Sequence, residues 1–189
     1  MTRSRSESAK PIRLLVRGLG NVLCGDDGLG TVAIARLRAR FEIPEGMSVL
    51  DGGTLGLSLL PHVEDAEKVI LVDAIRAEAP PGSFVRLEGD EVGPAVAGRL
   101  SVHQVGVADL LDAARWRGRL PEKLVLLGLV PGTLEVGVTR SARVEEGLPE
   151  LVDRVVQEVS RLGFELRPRS HDAASDSNRS PDLARAFGL

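Results

Sequence analysis

The stretch Gly18-Leu-Gly-Asn-Val-Leu-Cys-Gly-Asp-Asp-Gly-Leu-Gly30 joins two different periodic patterns. An aliphatic run at 12–17 precedes it, and apolar residues recur every three or four positions across roughly 28–41. This order is typical of a buried strand, a glycine-rich loop and an amphipathic helix. In open α/β sheets such a loop lies where ligands bind. A phosphate-binding loop would end in Gly-Lys-Ser/Thr or carry a third glycine, whereas this loop carries two adjacent acids, Asp26 and Asp27.

Strand and helix patterns alternate along the rest of the chain. Strands are predicted at 12–17, 48–50, 68–73, 83–88 and 123–130, with 134–136 as a short edge strand. Helices are predicted over 28–41, after Thr54, after the capping box Ser101–Gln104 and from Val144 to Leu162, with 89–100 irregular. The alternation predicts an α/β fold: a single doubly wound domain with a mostly parallel twisted sheet of about five strands and helices on both faces.

Composition limits the possible functions. The chain has 189 residues, 43% of them hydrophobic and 27% charged, which is enough for one domain with a sizeable core. A net charge of −3 provides no basic surface for nucleic acid. The sequence contains no run of 18 apolar residues, so it predicts no membrane span. One cysteine excludes an internal disulfide and fits a reducing cytoplasm. We expect disordered tails at 1–11 and 168–189 around a domain at 12–167.

Acidic residues follow each of the first three predicted strands. Asp26 and Asp27 follow the first, Asp51 the second and Asp73 the third, while His103 falls in the first turn of a later helix. Because strand ends converge on one crevice in a doubly wound sheet, we expect these side chains to meet. Two carboxylates and an imidazole suit a transition metal such as zinc, nickel or manganese.

Each of these residues also has a structural interpretation. We interpret Asp26 as the cap of the following helix and Asp27 as the ligand. Asp51 precedes two glycines and would then bond the amides of its own turn. Asp73 ends an aliphatic strand, where a carboxylate is costly unless it is paired or coordinated. His103 alone would be structural, and His62 and His171 are interpreted as surface residues.

Two other chemistries fit less well. Cys24 has no neighbouring lysine or histidine in sequence to lower its pKa, so a nucleophilic role is disfavoured. Gly18-x-Gly20 and the acid after the second strand are two parts of a dinucleotide fingerprint. The position of its third glycine is Leu23, however, and two aspartates would repel a pyrophosphate.

Four motifs in this order resemble the nickel-iron hydrogenase maturation endopeptidases. They are Gly18 to Gly30, Leu50-Asp-Gly-Gly-Thr54, Leu71-Val-Asp-Ala74 and Ser101-Val-His-Gln-Val-Gly106, and Pro131-x-x-Leu134 is also similar to the family. The similarity covers about 12–168. It implies an enzyme that clips a C-terminal extension from a hydrogenase large-subunit precursor once nickel is in place.

The resemblance also implies roles for individual residues. Asp27, Asp73 and His103 correspond to the family's metal ligands, which are thought to recognise nickel in the precursor, and zinc could occupy the same site. Asp51 is a further candidate for catalysis or recognition. Some members have Glu where this chain has Asp27. Two mechanisms stay open: paired acids, Asp51 and Asp27, would activate water, or the shared nickel would polarise the scissile carbonyl.

Two competing functions remain. One is a noncatalytic, metal-sensing maturation factor that uses the same crevice, and the other is a nucleotide-binding α/β enzyme. For the leading hypothesis, the expected partner is the hydrogenase large-subunit precursor, with neither nucleic acid nor membrane involved. We expect a cytoplasmic monomer.

Overall fold

A five-stranded sheet forms the centre of the protein. The computed structural model describes residues 12–53, 60–97 and 105–169. The sheet has the order β3-β1-β4-β6-β5; its strands are β1 (Leu14–Leu19), β3 (Met47–Gly53), β4 (Lys68–Ala74), β5 (Phe84–Glu88) and β6 (Lys123–Leu129). The first four strands in this order pair in parallel, and β5 pairs antiparallel with β6 at one edge. The predicted mostly parallel sheet is confirmed.

Helices cover both faces of this sheet. They are α1 (Leu29–Arg40), α2 (Leu60–Glu64), α3 (Val92–Ala97), α4 (Val105–Trp116) and α5 (Ala142–Arg161). Alternate strand residues face opposite sides, so Leu14 and Val16 pack with α1 and α5, whereas Leu15 packs with the other three helices. This is the doubly wound arrangement that the alternating pattern predicts. None of the described helices combines the length and the apolar character needed to cross a membrane.

Close backbone approach explains two glycines of the first loop. A Cβ on Gly18 would collide with the carbonyl oxygen of Gly30, and a Cβ on Gly30 would overlap the carbonyl oxygen of Val72. The start of α1 therefore lies directly against β1 and β4. The glycines hold the first loop close to the carboxyl ends of these strands.

Two parts of the predicted secondary structure are wrong, and a third lies mainly outside the described residues. Residues 134–136 form no strand; this edge of the sheet is β5, and the opposite edge is β3. The segment predicted to be irregular contains a 3-10 turn, Gly89–Glu91, followed by α3. The helix predicted after Thr54 falls largely on 54–59, which lie outside the described residues.

A small second sheet extends the fold beyond the predicted boundary. β2 (Phe41–Glu42) pairs antiparallel with β7 (Arg167–Pro168), and the Arg169 N–H donates to the carbonyl of Arg40 at 2.9 Å. Pro168 and Arg169 therefore belong to the folded unit, although the sequence places them in the C-terminal tail. The rest of that tail and residues 1–11 lie outside the described residues.

Candidate functional site

Three of the predicted site residues lie along the carboxyl edge of neighbouring strands. Gly18, near the end of β1, pairs with Asp51 of β3 on one side and with Val72 of β4 on the other. Asp73 follows Val72 directly. Asp27 lies in a 3-10 turn, Gly25–Gly28, which packs against β4. The convergence expected for Asp27, Asp51 and Asp73 at one edge of the sheet is thus present.

Asp27 is buried and held by its own loop. The N–H of Asn21 donates to Asp27 Oδ2 at 2.7 Å. At Gly20 the backbone φ is +112°, and a Cβ there would overlap the carbonyl oxygen of Asp27. A glycine is required at this position because the loop folds back on itself. The loop thereby fixes the Asp27 carboxylate beside the end of β4.

Asp73 is buried at the end of β4, with a side chain only 1% exposed. The N–H of Ala74 donates to its Oδ1 at 2.7 Å. Its backbone pairs with Gly128 of β6, where a Cβ would overlap the Asp73 carbonyl. A carboxylate in such a place needs hydrogen bonds or a metal ion to offset the loss of water.

Asp26 does not cap a helix, and that prediction is wrong. Its carboxylate accepts four hydrogen bonds: from the N–H groups of Gly132, Thr133 and Ser141 at 2.7, 3.0 and 2.7 Å, and from the Ser141 hydroxyl at 2.7 Å. Neither the residue before the 3-10 turn nor the one before α1 makes a side-chain cap. We call Asp26 and its three partners, Gly132, Thr133 and Ser141, the Asp26 cluster. It fastens the first loop to the segment between β6 and α5.

The Asp26 cluster also controls the charge of its carboxylate. Burial alone would raise the pKa of Asp26, but the hydrogen bonds from Ser141, Thr133 and Gly132 outweigh it and hold the pKa below its usual value. Sequence reasoning missed the cluster because its donors lie 106 to 115 residues further along the chain. No local pattern signals such a contact.

Asp51 is the exposed acid of this edge. The Thr31 hydroxyl and the Gly53 N–H donate to its Oδ1 at 3.0 and 2.9 Å. The bond to Gly53 is the turn contact that the structural interpretation predicts. Both of these bonds reach Oδ1, and no described residue donates to Oδ2.

Arg17 is a charged residue that sequence reasoning did not consider. It lies in β1, is only 4% exposed, and its Nε finds no hydrogen-bond acceptor in the part of the chain that the structure describes. Burial lowers the pKa of Arg17, and the negative charge of Asp51 opposes this effect. The sequence does show a signal for this residue, because Arg17 directly follows an aliphatic run in a strand predicted to be buried.

The remaining predicted residues do not extend the site among the described ones. His103 lies outside them, as does His171, and no group of three metal-ligating side chains occurs within the described ranges. His62 is exposed on α2, as predicted. Cys24 is half-buried, and its Sγ accepts a hydrogen bond from Asn21 Nδ2 at 3.4 Å.

Comparison with known proteins identifies the class. The fold superposes on the hydrogenase maturating endopeptidase HybD from Escherichia coli with a TM-score of 0.79 and 34% identity, covering 83% of this chain and 98% of that one. It also matches the [NiFe] hydrogenase maturation protease HybD from Thermococcus kodakarensis, with a TM-score of 0.62 and 27% identity, over 77% and 98% of the two chains. The fold is that of an α/β endopeptidase.

Sequence relatives narrow this class to one family. The Hydrogenase 2 maturation protease of Escherichia coli K12 is 34% identical over 164 residues, which is 85% of this chain and 100% of the relative. The hydrogenase expression/formation protein HupD of Rhodobacter capsulatus is 35% identical over 179 residues, 93% and 84% of the two chains. The hydrogenase maturation protease model matches residues 32–158. The chain belongs to the hydrogenase maturation protease family, which confirms the resemblance.

Proposed function

We propose that this endopeptidase removes the C-terminal extension of a [NiFe] hydrogenase large-subunit precursor after nickel has been inserted. Endopeptidases of the HybD type cleave the large-subunit extension, so this part follows from the family. The dependence on nickel rests on the site itself. The observation that carries it is the placement of two buried carboxylates, Asp27 and Asp73, at adjoining positions of one sheet edge.

Asp27 and Asp73 are assigned to recognition of the metal. Nickel belongs to the precursor and is therefore part of the substrate. Carboxylate oxygens on a rigid backbone hold a divalent ion without rearrangement. A neutral His103 would add an imidazole nitrogen, and nickel favours a mixed nitrogen and oxygen set over oxygen ligands alone. Zinc fits the same donors. Recognition of the loaded precursor would then position its scissile bond at this edge.

Asp51 is assigned to the chemical step, with Asp27 as the second acid of the pair. Because its Oδ1 is fixed by Thr31 and Gly53, Asp51 presents Oδ2 in a defined direction. This oxygen accepts a proton from water as the water attacks the scissile carbonyl, and the proton then passes to the leaving amine. The assignment makes the reaction an aspartic-type hydrolysis directed by metal recognition.

The setting of the reaction belongs to the same proposal. We assign the protein, as a monomer, to the cytoplasm, where a single cysteine fits the reducing conditions. The substrate is then a protein, with no role for nucleic acid or membrane.

A comparison of site variants tests the assignments. Asp27→Asn, Asp73→Asn and His103→Ala should each lower the rate of cutting and weaken binding of a nickel-loaded precursor, by about a hundredfold in kcat/KM. Asp51→Asn should slow cleavage by a similar factor but leave binding unchanged. Cleavage is measured as mass loss at the precursor C-terminus, and binding by calorimetry.

The controls separate nickel recognition from general proteolysis. Asp112→Asn removes an exposed acid of α4 at the same change in charge and should process normally. Full processing by all three metal-site variants would contradict the recognition assignment. Cutting of nickel-free precursor by the wild-type protein would contradict nickel dependence, and binding without any cutting would favour the noncatalytic factor.

A further inference from the structure

Two loops at the carboxyl edge expose most of the large apolar side chains that the described residues leave in water. The described residues include six exposed large apolar side chains, and five of them lie on these loops. We call the five the apolar rim: Val22, Leu23, Leu134, Val136 and Val138. Val136 is 91% exposed and Val138 70%. The sixth, Trp116, ends α4. Exposed apolar side chains grouped on adjoining loops mark an interaction site more often than isolated ones do.

The apolar rim is part of the same loop structure as Asp27. Val22 and Leu23 directly follow Asn21, which donates to the Asp27 carboxylate. Immediately after Asp27, a Cβ on Gly28 would lie 2.7 Å from the Val22 Cα. The Val22 and Leu23 side chains are therefore carried by the same loop as the Asp27 carboxylate.

Hydrogen bonds hold the two halves of the rim together. The Gly137 N–H donates to the Leu23 carbonyl at 2.8 Å, and the Gly25 N–H donates to the Gly137 carbonyl at 2.7 Å. The Asp26 cluster anchors the same two loops through a buried carboxylate. A surface that is already ordered loses less conformational entropy when it binds a partner.

A groove borders the rim. It has a volume of about 430 Å³ and lies between Arg76–Ala77, just after β4, and Val130–Leu134, just after β6. Leu134 belongs to both the groove and the rim. Arg76 lies three residues after Asp73, so the groove opens at the same edge of the sheet as the acids. An extended segment in this groove would contact the rim along its side.

We propose that the apolar rim and this groove bind an apolar segment of the hydrogenase large-subunit precursor next to the scissile bond. The inference rests on the proposed function, since it takes the precursor as substrate. The five side chains of the rim are aliphatic, which favours aliphatic or aromatic partner residues where they are contacted. The rim supplies affinity for the protein around the bond, while the acids recognise the metal and cut.

The double variant Val136→Ser/Val138→Ser tests the rim. Both side chains are mostly in water, so the variant should fold with wild-type stability. With nickel-loaded precursor as the probe, we expect KM to rise about tenfold while kcat falls less than threefold. Trp116→Ser is the matched control, because it removes the exposed apolar side chain that lies away from the rim. It should leave both constants within twofold.

The outcomes separate the rim from the proposed function. Wild-type values of KM and of the dissociation constant for the double variant would overturn the rim as a docking surface, even if the wild-type protein cuts normally. If the wild-type protein binds the precursor without cutting it, the proposed function fails and the binding constants alone decide the rim. If neither protein binds the precursor, both proposals fail. Self-association of the wild-type protein that the double variant abolishes would assign the rim to a second copy and overturn the proposal.

Discussion

The first loop and the end of β3 hold acids at the same edge of the sheet in opposite ways. In the first loop, Asp26 is fully buried and receives four hydrogen bonds from a distant segment. At the end of β3, Asp51 is exposed and receives two from the described residues, both on one oxygen and one of them from its own turn. An acid whose two oxygens both accept hydrogen bonds from buried donors serves the scaffold, while an exposed acid can take part in chemistry. Burial alone therefore does not reveal which acid is functional.

Asp26→Asn should cause the largest loss of stability. An amide presents one acceptor oxygen where the carboxylate presents two. Its NH₂ group would face either the N–H of Ser141 or the N–H groups of Gly132 and Thr133. Buried donors would lose their partner, so we expect the free energy of unfolding to fall by about 3 kcal/mol. Denaturation in urea measures it.

Ser141→Ala provides a graded control for this substitution. It removes the hydroxyl donor but keeps the three N–H donors to Asp26. We expect a loss of about 1 kcal/mol. An Asp26→Asn variant as stable as the wild-type protein would show that the Asp26 cluster contributes little, and the contrast between the two regions would disappear.

The acid limb of the stability curve should show the same contrast with a smaller effect. Because the pKa of Asp26 is lower in the folded state, its contribution is complete above the unfolded value of about 4 and is lost as the pH falls through the folded value. Below about pH 4, the wild-type free energy of unfolding should therefore decline more steeply than that of Asp26→Asn.

Other acids do not obscure this comparison. The side-chain hydrogen bond from Arg86 lowers the pKa of Glu158 and of Glu88, and that from Arg140 lowers the pKa of Glu145. All three titrate in the wild-type protein and in the variant alike. Parallel acid limbs would mean that Asp26 keeps its proton affinity on folding, contrary to the geometry of its four donors.

Local patterns predicted the scaffold of this edge because they act over short distances. Short aliphatic runs identified β4 and β6, and helical periodicity identified α5. Each predicted strand end that carries an acid lies at the expected edge. The four family motifs then indicated the proposed substrate, the hydrogenase large-subunit precursor. These features depend on neighbours within one turn or one strand, which a sequence displays directly.

The errors come from contacts between distant segments. Leu134 and Val136 alternate with polar residues as a strand would, but their segment is held by Asp26 and exposes them to water. The same long-range hydrogen bonds explain why Asp26 lies in the Asp26 cluster and does not cap a helix as predicted. Pairing of β2 with β7 joins positions more than 120 residues apart and likewise leaves no local pattern.

Thr31→Val should have the smallest effect and tests the Asp51 side of the comparison. It removes the hydroxyl that donates to Asp51 Oδ1, while the Gly53 N–H remains. Since the acid is exposed, we expect the free energy of unfolding to change by less than about 0.5 kcal/mol. The rate of precursor cutting should fall no more than about threefold, because the remaining bond still orients the carboxylate.

Thr31→Ser keeps the hydroxyl and is the matched control for this substitution. It should process the precursor at the wild-type rate. If Thr31→Val instead lost cutting as completely as Asp51→Asn while Thr31→Ser retained it, the hydroxyl would be needed to position Asp51. The exposed acid would then depend on distant donors as strictly as Asp26 does, since Thr31 reaches it from α1 across 20 residues of chain. The two regions would differ in burial but not in how their carboxylates are held.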